Sequence, residues 1–430
     1  MKQALTQRDI AWFFFPLLLN VQLMSVSHTV INAALAREED YIAALAAFAT
    51  AMVLHLFFAS PSYQNHTVTI AMVRGRQSLR GVVLFVVLVA VYVSIMLALI
   101  AFSPLGDLLL QRVLGVSAEL TLETRRVVAL LSVLPFITGF RGFFQGLVIR
   151  ARRTGLVSLA TGVRIAALFG YLLLGRLWFS GAQLGAFALV ACVATETLVI
   201  GFFAWRVKLP LPEGVEEKSI PEVLRYAFPL AYSSCLQQAI PLLITAIIGR
   251  LADGVTALAA FGVIRGFLFL LAGPLRNLQQ AYLTLVEDEQ GYRVLKRFCV
   301  RLALLLGLLM VAVAFPLNQL VLGRLVGVAA ELRAYIAWPL ACCAAYPLLY
   351  GATNLLRGYF AGAHRTAMLG RSTLWKASFL ALSWGISLTT VLPFSGISVA
   401  IGLLLVAELL ETGYLYLQKS RQFEQFAKAS

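Results

Sequence analysis

The sequence predicts an all-α polytopic membrane protein with about twelve transmembrane helices, arranged as two parallel six-helix repeats. Its composition, its long apolar runs and an internal duplication support this prediction. Of the 430 residues, 60% are hydrophobic and 13% are charged, and the mean hydropathy is +0.85. A soluble domain carries about 25% charged residues. The chain therefore has too little polar surface to cover a soluble globule.

Apolar runs long enough to cross a bilayer recur along the chain, and each predicts one helix. In the first half the runs are centred near Leu19, Val53, Val91, Pro135, Leu168 and Val193. In the second half they are centred near Ala239, Phe267, Leu308, Ala345, Leu380 and Leu405.

A polar stretch, KLPLPEGVEEKSIPE, separates the two halves at Lys208–Glu222. Its prolines and charges are typical of a linker. We expect an N-terminal six-helix bundle over residues 1–206, a cytoplasmic linker over residues 207–221 and a C-terminal six-helix bundle over residues 222–430.

Basic residues concentrate in alternate loops, which explains the net charge of +15 without a nucleic-acid partner. These loops include Arg74, Arg76, Arg80, Arg150, Arg152, Arg153, Arg206, Lys208, Lys218, Arg293, Lys296, Arg297, Arg365 and Arg371. Because such loops face the cytoplasm, both termini are expected to be cytoplasmic. The expected location is a plasma membrane, such as a bacterial inner membrane.

The two halves carry matching segments at a nearly constant separation along the chain. ALAAF at Ala44–Phe48 recurs letter for letter at Ala257–Phe261. RVLGVSAEL, which begins at Arg112, recurs as RLVGVAAEL, which begins at Arg324. An even number of helices per half inserts both halves in the same orientation, as in transporters built from parallel repeats. Such repeats predict two bundles that rock around a central cleft.

The first helix of each half carries polar side chains at helical spacing. They are Ser25, His28 and Asn32 in the first half, and Ser234, Gln238 and Thr245 in the second. They indicate either facing walls of a wet cleft or hydrogen bonds that hold the bundle together. Gln237, beside Gln238, is a further candidate hydrogen-bond donor to a substrate.

Several arginines in the apolar segments have no evident acidic partner and are candidate substrate-binding residues. Arg265 is expected to be a cleft cation, whereas Arg276, beside Asn277, is expected nearer the interface. Arg141 and Arg357, in the fourth and tenth helices, either bind substrate or extend to the membrane surface.

Opposite charges are duplicated on the last two helices of each half. Arg164 and Glu196 in the first half correspond to Lys376 and Glu408 in the second, at the same separation as the matching segments. A charge at bilayer depth is costly, so we predict one ion pair in each half. Each pair is either a structural brace or part of a proton or ion relay.

Catalytic and metal-binding motifs are not evident. The chain has no HExxH, Walker A or GxSxG pattern, and none of its five cysteines lies in a CxxC pair. We therefore expect no enzyme activity, no catalytic residue, no cofactor and no metal site.

The duplicated plan resembles the MATE (multidrug and toxic-compound extrusion) transporters and their wider superfamily, which includes oligosaccharide-lipid flippases. Within it the sequence is similar to the ANK (progressive ankylosis) family. LNVQLMSVSHTVINAALA, LGDLLLQRVLGVSAELTLETRRVVALLSVLPF and FPLAYSSCLQQAIPLLITAIIGR carry the similarity. The resemblance implies V-shaped bundles and export of pyrophosphate, nucleotides such as ATP, or citrate-like anions.

Multidrug members of this superfamily typically use a membrane acid to couple cations, often in the first helix. The predicted first helix here contains no Asp or Glu. This favours an alternating-access secondary transporter of small organic or phosphate-bearing anions. The alternatives are a flippase for a pyrophosphate-linked lipid and a cation-coupled multidrug exporter. The expected partners are a small anionic solute and membrane lipid, with no obligate protein partner.

Overall fold

The computed structural model describes residues 5–35, 37–113, 117–207, 217–248, 251, 253–326, 328–389 and 394–429. These residues form helices and turns, and no strand occurs among them. Residues 208–216 of the expected linker lie outside the described residues.

Helices α1 to α6 make up the first half of the chain. They are α1 (Gln7–Leu35), α2 (Tyr41–Phe58, continued by Asn65–Met72), α3 (Arg76–Phe102), α4 (Ala118–Leu131, continued by Leu134–Arg150), α5 (Thr154–Gly175) and α6 (Gly181–Arg206). The two parts of α2 meet at 58° and those of α4 at 40°.

Helices α7 to α12 repeat this order in the second half. They are α7 (Ile220–Ile248), α8 (Gly254–Ala272, continued by Leu278–Leu285), α9 (Glu289–Ala314), α10 (Ala330–Cys342, continued by Tyr346–Gly362), α11 (Thr366–Ser387) and α12 (Gly396–Ala429).

The predicted fold class is confirmed. Nine described spans are apolar and long enough to cross a membrane, or eleven when each bent pair counts as one span. The helix outside this set is α11, whose 22 residues also suffice to cross. It is less apolar because it carries Arg371 and Lys376. The described helices therefore follow the twelve-helix plan.

Prolines explain the breaks in α2 and α8. Pro61 lies in a short 3-10 turn, Ser60–Gln64, and Pro274 lies in the equivalent turn, Gly273–Asn277. Proline lacks an amide hydrogen and clashes with the preceding helical turn. Both halves therefore break their second helix at the same place.

In each half, the first amide of the last helix donates a hydrogen bond to a carboxylate. The amide of Gly181, which begins α6, donates to Glu38 at 3.0 Å. The amide of Gly396, which begins α12, donates to Asp253 at 2.9 and 3.0 Å. Sequence alignment of the halves pairs Asp253 with Asp40, but Glu38 makes the equivalent contact.

The chain forms two compact units, Phe15–Cys235 and Met1–Phe14 together with Leu236–Ser430. Their limits fall inside α1 and α7. The beginning of α1 packs in the second unit, where Phe14 contacts Phe298 with ring centroids 5.5 Å apart. The first unit includes the beginning of α7, where Ser234 accepts a hydrogen bond from Gln64 at 2.9 Å.

The expectation that the first helix contains no Asp or Glu is wrong. The helix starts at Gln7, so its first turn contains the acidic residue Asp9. An acid is favourable in a first helical turn because it faces unpaired amides. Asp9 accepts hydrogen bonds there from the amide and the hydroxyl of Thr6.

Candidate functional site

The unit Phe15–Cys235 contains a buried carboxylate that joins three helices. Glu196, on α6, has no solvent exposure. Its Oε2 atom accepts hydrogen bonds from Nη1 of Arg141 on α4 at 3.0 Å and from Nη1 of Arg164 on α5 at 3.2 Å. Charge-assisted bonds of this kind are stronger than neutral ones. Glu196 therefore ties α4 and α5 to α6.

The second oxygen of Glu196 is also occupied. Gln145 donates to Oε1 at 3.2 Å, and Thr161 donates to the same atom at 2.8 Å. The Thr161 hydroxyl also lies 2.5 Å from Oδ1 of Asn20 on α1. A hydroxyl has one proton, so a flipped Asn20 amide that donates to Thr161 would satisfy both contacts.

We refer to Arg141, Gln145, Thr161, Arg164 and Glu196 as the N-terminal cluster. Their spacing explains how they meet. Arg141 and Gln145 are four residues apart on α4, and Thr161 and Arg164 are three apart on α5. Both spacings place side chains on one face of a helix.

Glycines on α4 allow a close approach to the second part of α2. A Cβ atom on Gly146 would lie 2.6 Å from Cβ of Thr69, and one on Gly142 would lie 3.2 Å from Cβ of Asn65. The first distance is too short for any side chain. Small residues at such positions are typical of membrane helix interfaces.

The unit that contains Leu236–Ser430 has a related cluster around Glu411 on α12. Glu411 has no solvent exposure. Its Oε1 accepts from Nη1 of Arg357 on α10 at 2.6 Å, and its Oε2 accepts from Nζ of Lys376 on α11 at 3.1 Å. Lys376 also donates to Glu408, and Thr373 lies 3.3 Å from Oε1 of Glu411. We refer to Arg357, Thr373, Lys376, Glu408 and Glu411 as the C-terminal cluster.

The structure brings together the two pairs that the repeat predicted. Arg164 contacts Glu196, and Lys376 contacts Glu408. The expectation that Arg141 and Arg357 lack an acidic partner is wrong, because each contacts a buried glutamate. Both arginines are buried, so they do not extend to the membrane surface.

Sequence reasoning missed Glu411. Its equivalent in the first half is Val199, so the duplication gave no signal at this position. Glu411 lies three residues after Glu408, on the same face of the helix. That spacing could have identified a second acid facing Lys376.

The two clusters differ in net charge. The N-terminal cluster has two guanidinium groups, on Arg141 and Arg164, and one carboxylate. The C-terminal cluster has two cations and two carboxylates. Their formal charges are therefore +1 and 0.

The remaining candidate residues lie apart from these salt bridges. His28 is half-buried and within electrostatic reach of Arg164 and Arg141, whereas Asn32 is exposed. Gln237 and Gln238 are half-buried. Together with Arg141, His28 and Asn32 belong to the unit Phe15–Cys235.

The candidates on α8 belong to the other unit. Arg265 is exposed and forms no hydrogen bond or ion pair with the residues that the structure describes. Arg276 is also exposed, whereas Asn277 is only 4% exposed. The Nδ2 atom of Asn277 has no hydrogen-bond partner among the described residues.

A polar cavity of about 700 Å³ lies at one end of the unit Phe15–Cys235. Its lining includes Arg37, Glu38, Glu39, Asp40, Glu123, Arg126, Arg176 and Gln183. Arg126 lies 2.7 Å from Glu123, and Arg176 lies 3.9 Å from Glu38. Within the described residues, no group of three metal-ligating side chains is placed to hold a metal ion.

Comparison with known families identifies part of the chain. Residues 4–176 match the progressive ankylosis protein (ANKH) family. This match includes four of the five residues of the N-terminal cluster and confirms the resemblance predicted from the sequence. None of the curated proteins compared matches the sequence.

Solved structures share the fold over nearly the whole chain. A MOP superfamily transporter from Pyrococcus furiosus, whose binding pocket is described as having reverse polarity, has a TM-score of 0.72 at 14% identity over 96% of both chains. An outward-facing multidrug resistance MATE family transporter has a TM-score of 0.73 at 15% identity over 96% of both chains.

A eukaryotic MATE transporter, AtDTX14, has a TM-score of 0.69 at 14% identity, over 95% of this chain and 94% of its own. The chain therefore has the MATE fold and is a multi-pass membrane protein. The fold and the ANKH match together support a secondary membrane transporter rather than an enzyme.

Proposed function

We propose that the protein is an alternating-access secondary transporter that exports small organic or phosphate-bearing anions, of the pyrophosphate, nucleotide or citrate class. The proposal rests on which charged side chains of the membrane helices form ion pairs and which do not. Every carboxylate of the two clusters is engaged by a cation, whereas Arg265 on α8 is exposed and forms no ion pair with the described residues.

This distribution of charge favours anions over cations. A carboxylate is a strong partner for an organic cation, but Glu196 and Glu411 each already face two cations. An anion needs an available cation, which Arg265 offers. Such an attraction is stronger in a low-dielectric environment than in water.

The fold alone leaves the charge of the substrate open. The Pyrococcus furiosus transporter shares the fold, and its pocket of reverse polarity has been taken to suggest a different function. The proposed substrate class therefore rests on the side chains of this chain. They support the anionic class that the ANKH resemblance implies, rather than a cation-coupled multidrug exporter.

We assign the candidate residues the following roles. Arg265, Arg276 and His28 neutralise the charge of the solute, and Asn32, Gln237, Gln238 and Asn277 donate hydrogen bonds to it. Arg141 and Arg357 contribute positive charge from within the buried clusters. Arg164–Glu196 and Lys376–Glu408 brace the last two helices of their halves.

We also propose that the protein resides in a plasma membrane with both termini in the cytoplasm. Basic residues at the ends of α4 and α6 support this orientation. Labelling of single cysteines at the two termini by a membrane-impermeant maleimide tests it. Only permeabilised cells should react, and labelling of intact cells would reverse the orientation.

The assignment of Arg265 is tested by transport kinetics in proteoliposomes. Arg265→Gln should raise the KM for the transported anion about tenfold or more, since a charge-assisted contact contributes about 1.5–3 kcal/mol. Arg37→Gln, which removes an exposed arginine of a connecting loop, is the matched control. Equal KM values for both variants would remove Arg265 from the binding site.

A further inference from the structure

The N-terminal cluster holds a positive charge that its own residues leave uncompensated. Arg141 is 8% exposed and Arg164 is 1% exposed. Both donate to Oε2 of Glu196, the only acid on α4, α5 or α6 beyond the first two turns of a helix. One carboxylate therefore faces two buried guanidinium groups.

Proton transfer offers no way to remove this excess charge. Arginine stays protonated in proteins. Protonation of Glu196 would raise the net charge of the cluster to +2. His28, which lies within electrostatic reach of both arginines, can only be neutral or positive. A buried charge without a partner is costly.

Both arginines also have an N–H donor that no described residue accepts. The Nε atoms of Arg141 and Arg164 are buried and have no hydrogen-bond partner among the described residues. In the C-terminal cluster, a second carboxylate balances the charge. Unused donors and uncompensated charge thus occur in the same cluster.

We propose that the N-terminal cluster binds one anionic group through Arg141 and Arg164. A group with a single negative charge would bring the net charge to zero, as in the C-terminal cluster. It would accept hydrogen bonds from the unused Nε–H donors. Because Arg141 is the more exposed of the two arginines, the group would enter from its side.

Two sources supply such a group, namely a free inorganic anion such as chloride and a carboxylate of a bound solute. The second source rests on the proposed transport of anions, and the first does not. Binding to the purified protein therefore tests this inference without any measurement of transport.

The experiment measures the Tm of the full chain in detergent at constant ionic strength. The reference buffer contains a bulky sulfonate as its only anion, and chloride or citrate is titrated in its place. We expect a saturable rise in Tm of about 2 °C or more, since a ligand that binds the folded state stabilises it. A rise with chloride identifies an inorganic anion, and a rise with citrate alone identifies a solute carboxylate.

Two variants remove the excess charge in different ways. Arg141→Gln removes one cation, whereas Gln145→Glu adds a carboxylate where Gln145 now contacts Glu196 and keeps both arginines. Both should lose the dependence of Tm on the anion, and Gln145→Glu covers the case in which Arg141→Gln does not fold. Arg37→Gln, which removes an exposed arginine of a loop outside both clusters, is the control and should keep it.

A native chain with the same Tm in chloride, citrate and sulfonate would overturn the inference. So would an anion dependence that persists in both Arg141→Gln and Gln145→Glu. Stabilisation by anions without anion transport would contradict the proposed function but support this site.

Discussion

Arg164 on α5 and Glu196 on α6 are in contact, with 3.2 Å between Nη1 and Oε2 and almost no solvent exposure at either residue. The same contact recurs between Lys376 and Glu408 on the last two helices of the second half. A charge pair at this depth is stable only if both members remain. Each pair therefore helps to hold two neighbouring membrane helices together.

Glu196→Gln should destabilise the protein by about 3–5 kcal/mol, because it leaves two buried guanidinium groups without a carboxylate. Thermal unfolding in detergent measures the loss. The double variant Arg141→Gln with Glu196→Gln has the same formal charge as the native cluster and should recover part of it. A Glu196→Gln variant that melts like the native protein would show that the carboxylate does not hold these helices.

The two acids of the C-terminal cluster should differ in importance. Among the described residues, Glu411 forms ion pairs with Arg357 and Lys376, whereas Glu408 forms one with Lys376. Glu411→Gln should therefore lower the Tm more than Glu408→Gln does. Parallel melts of the two variants measure the order, and the reverse order would mean that Glu408 is the main partner of Lys376.

Gly146→Ala should destabilise the protein by about 1–3 kcal/mol through overpacking. The added Cβ would lie 2.6 Å from Cβ of Thr69, in the contact between α4 and the second part of α2. Gly162→Ala is the control, because nothing lies within 4 Å of its Cβ position on α5. That change should be neutral or stabilising, since alanine favours a helix. Equal melting of the two variants would contradict the close contact.

Asp253 should make stability depend on pH in the acid range. The hydrogen bond from Tyr335 is the main cause that lowers the pKa of Asp253, and the amide of Gly396 lowers it further. An aspartate with a lowered folded pKa stabilises the protein above its unfolded pKa of about 3.9, and this contribution is lost as the pH falls through the folded pKa.

Tyr335→Phe should therefore have a lower Tm than the native protein at neutral pH. Below about pH 4 the difference in Tm between the two proteins should become smaller. Tm measured from pH 7 down to pH 3 checks this. Tyr350→Phe, which changes another tyrosine of α10, is the control. A difference between Tyr335→Phe and native protein that does not change with pH would assign the effect to packing.

The contacts that could be predicted are those that the duplication preserves. Arg164 and Glu196 have charged equivalents at the corresponding positions of the second half. This repeated pattern predicted an ion pair in each half. Arg141 aligns with Thr353, and Arg357 aligns with Gln145, so no repeated pattern connected either arginine to an acid. Their contacts depend on the rotation of α4 and α10, which spacing along the chain does not specify.

The number and order of the helices were easier to predict from the sequence than the residues at which each helix begins and ends. Hydropathy predicted the twelve-helix arrangement, because a bilayer requires long apolar runs. It could not show that α1 begins at Gln7 and contains Asp9, since polar first turns lie outside the apolar run. Pro61 and Pro274 mark the breaks in α2 and α8, but the angle at each break depends on packing.

Uptake by proteoliposomes tests directly whether the protein transports small anions. Labelled citrate, pyrophosphate and ATP are compared with a labelled organic cation, in vesicles with and without the purified chain. We expect saturable uptake of at least one anion, competition by other anions and no uptake of the cation. Saturable uptake of the cation, with none of any anion, would show that the protein is not an anion transporter.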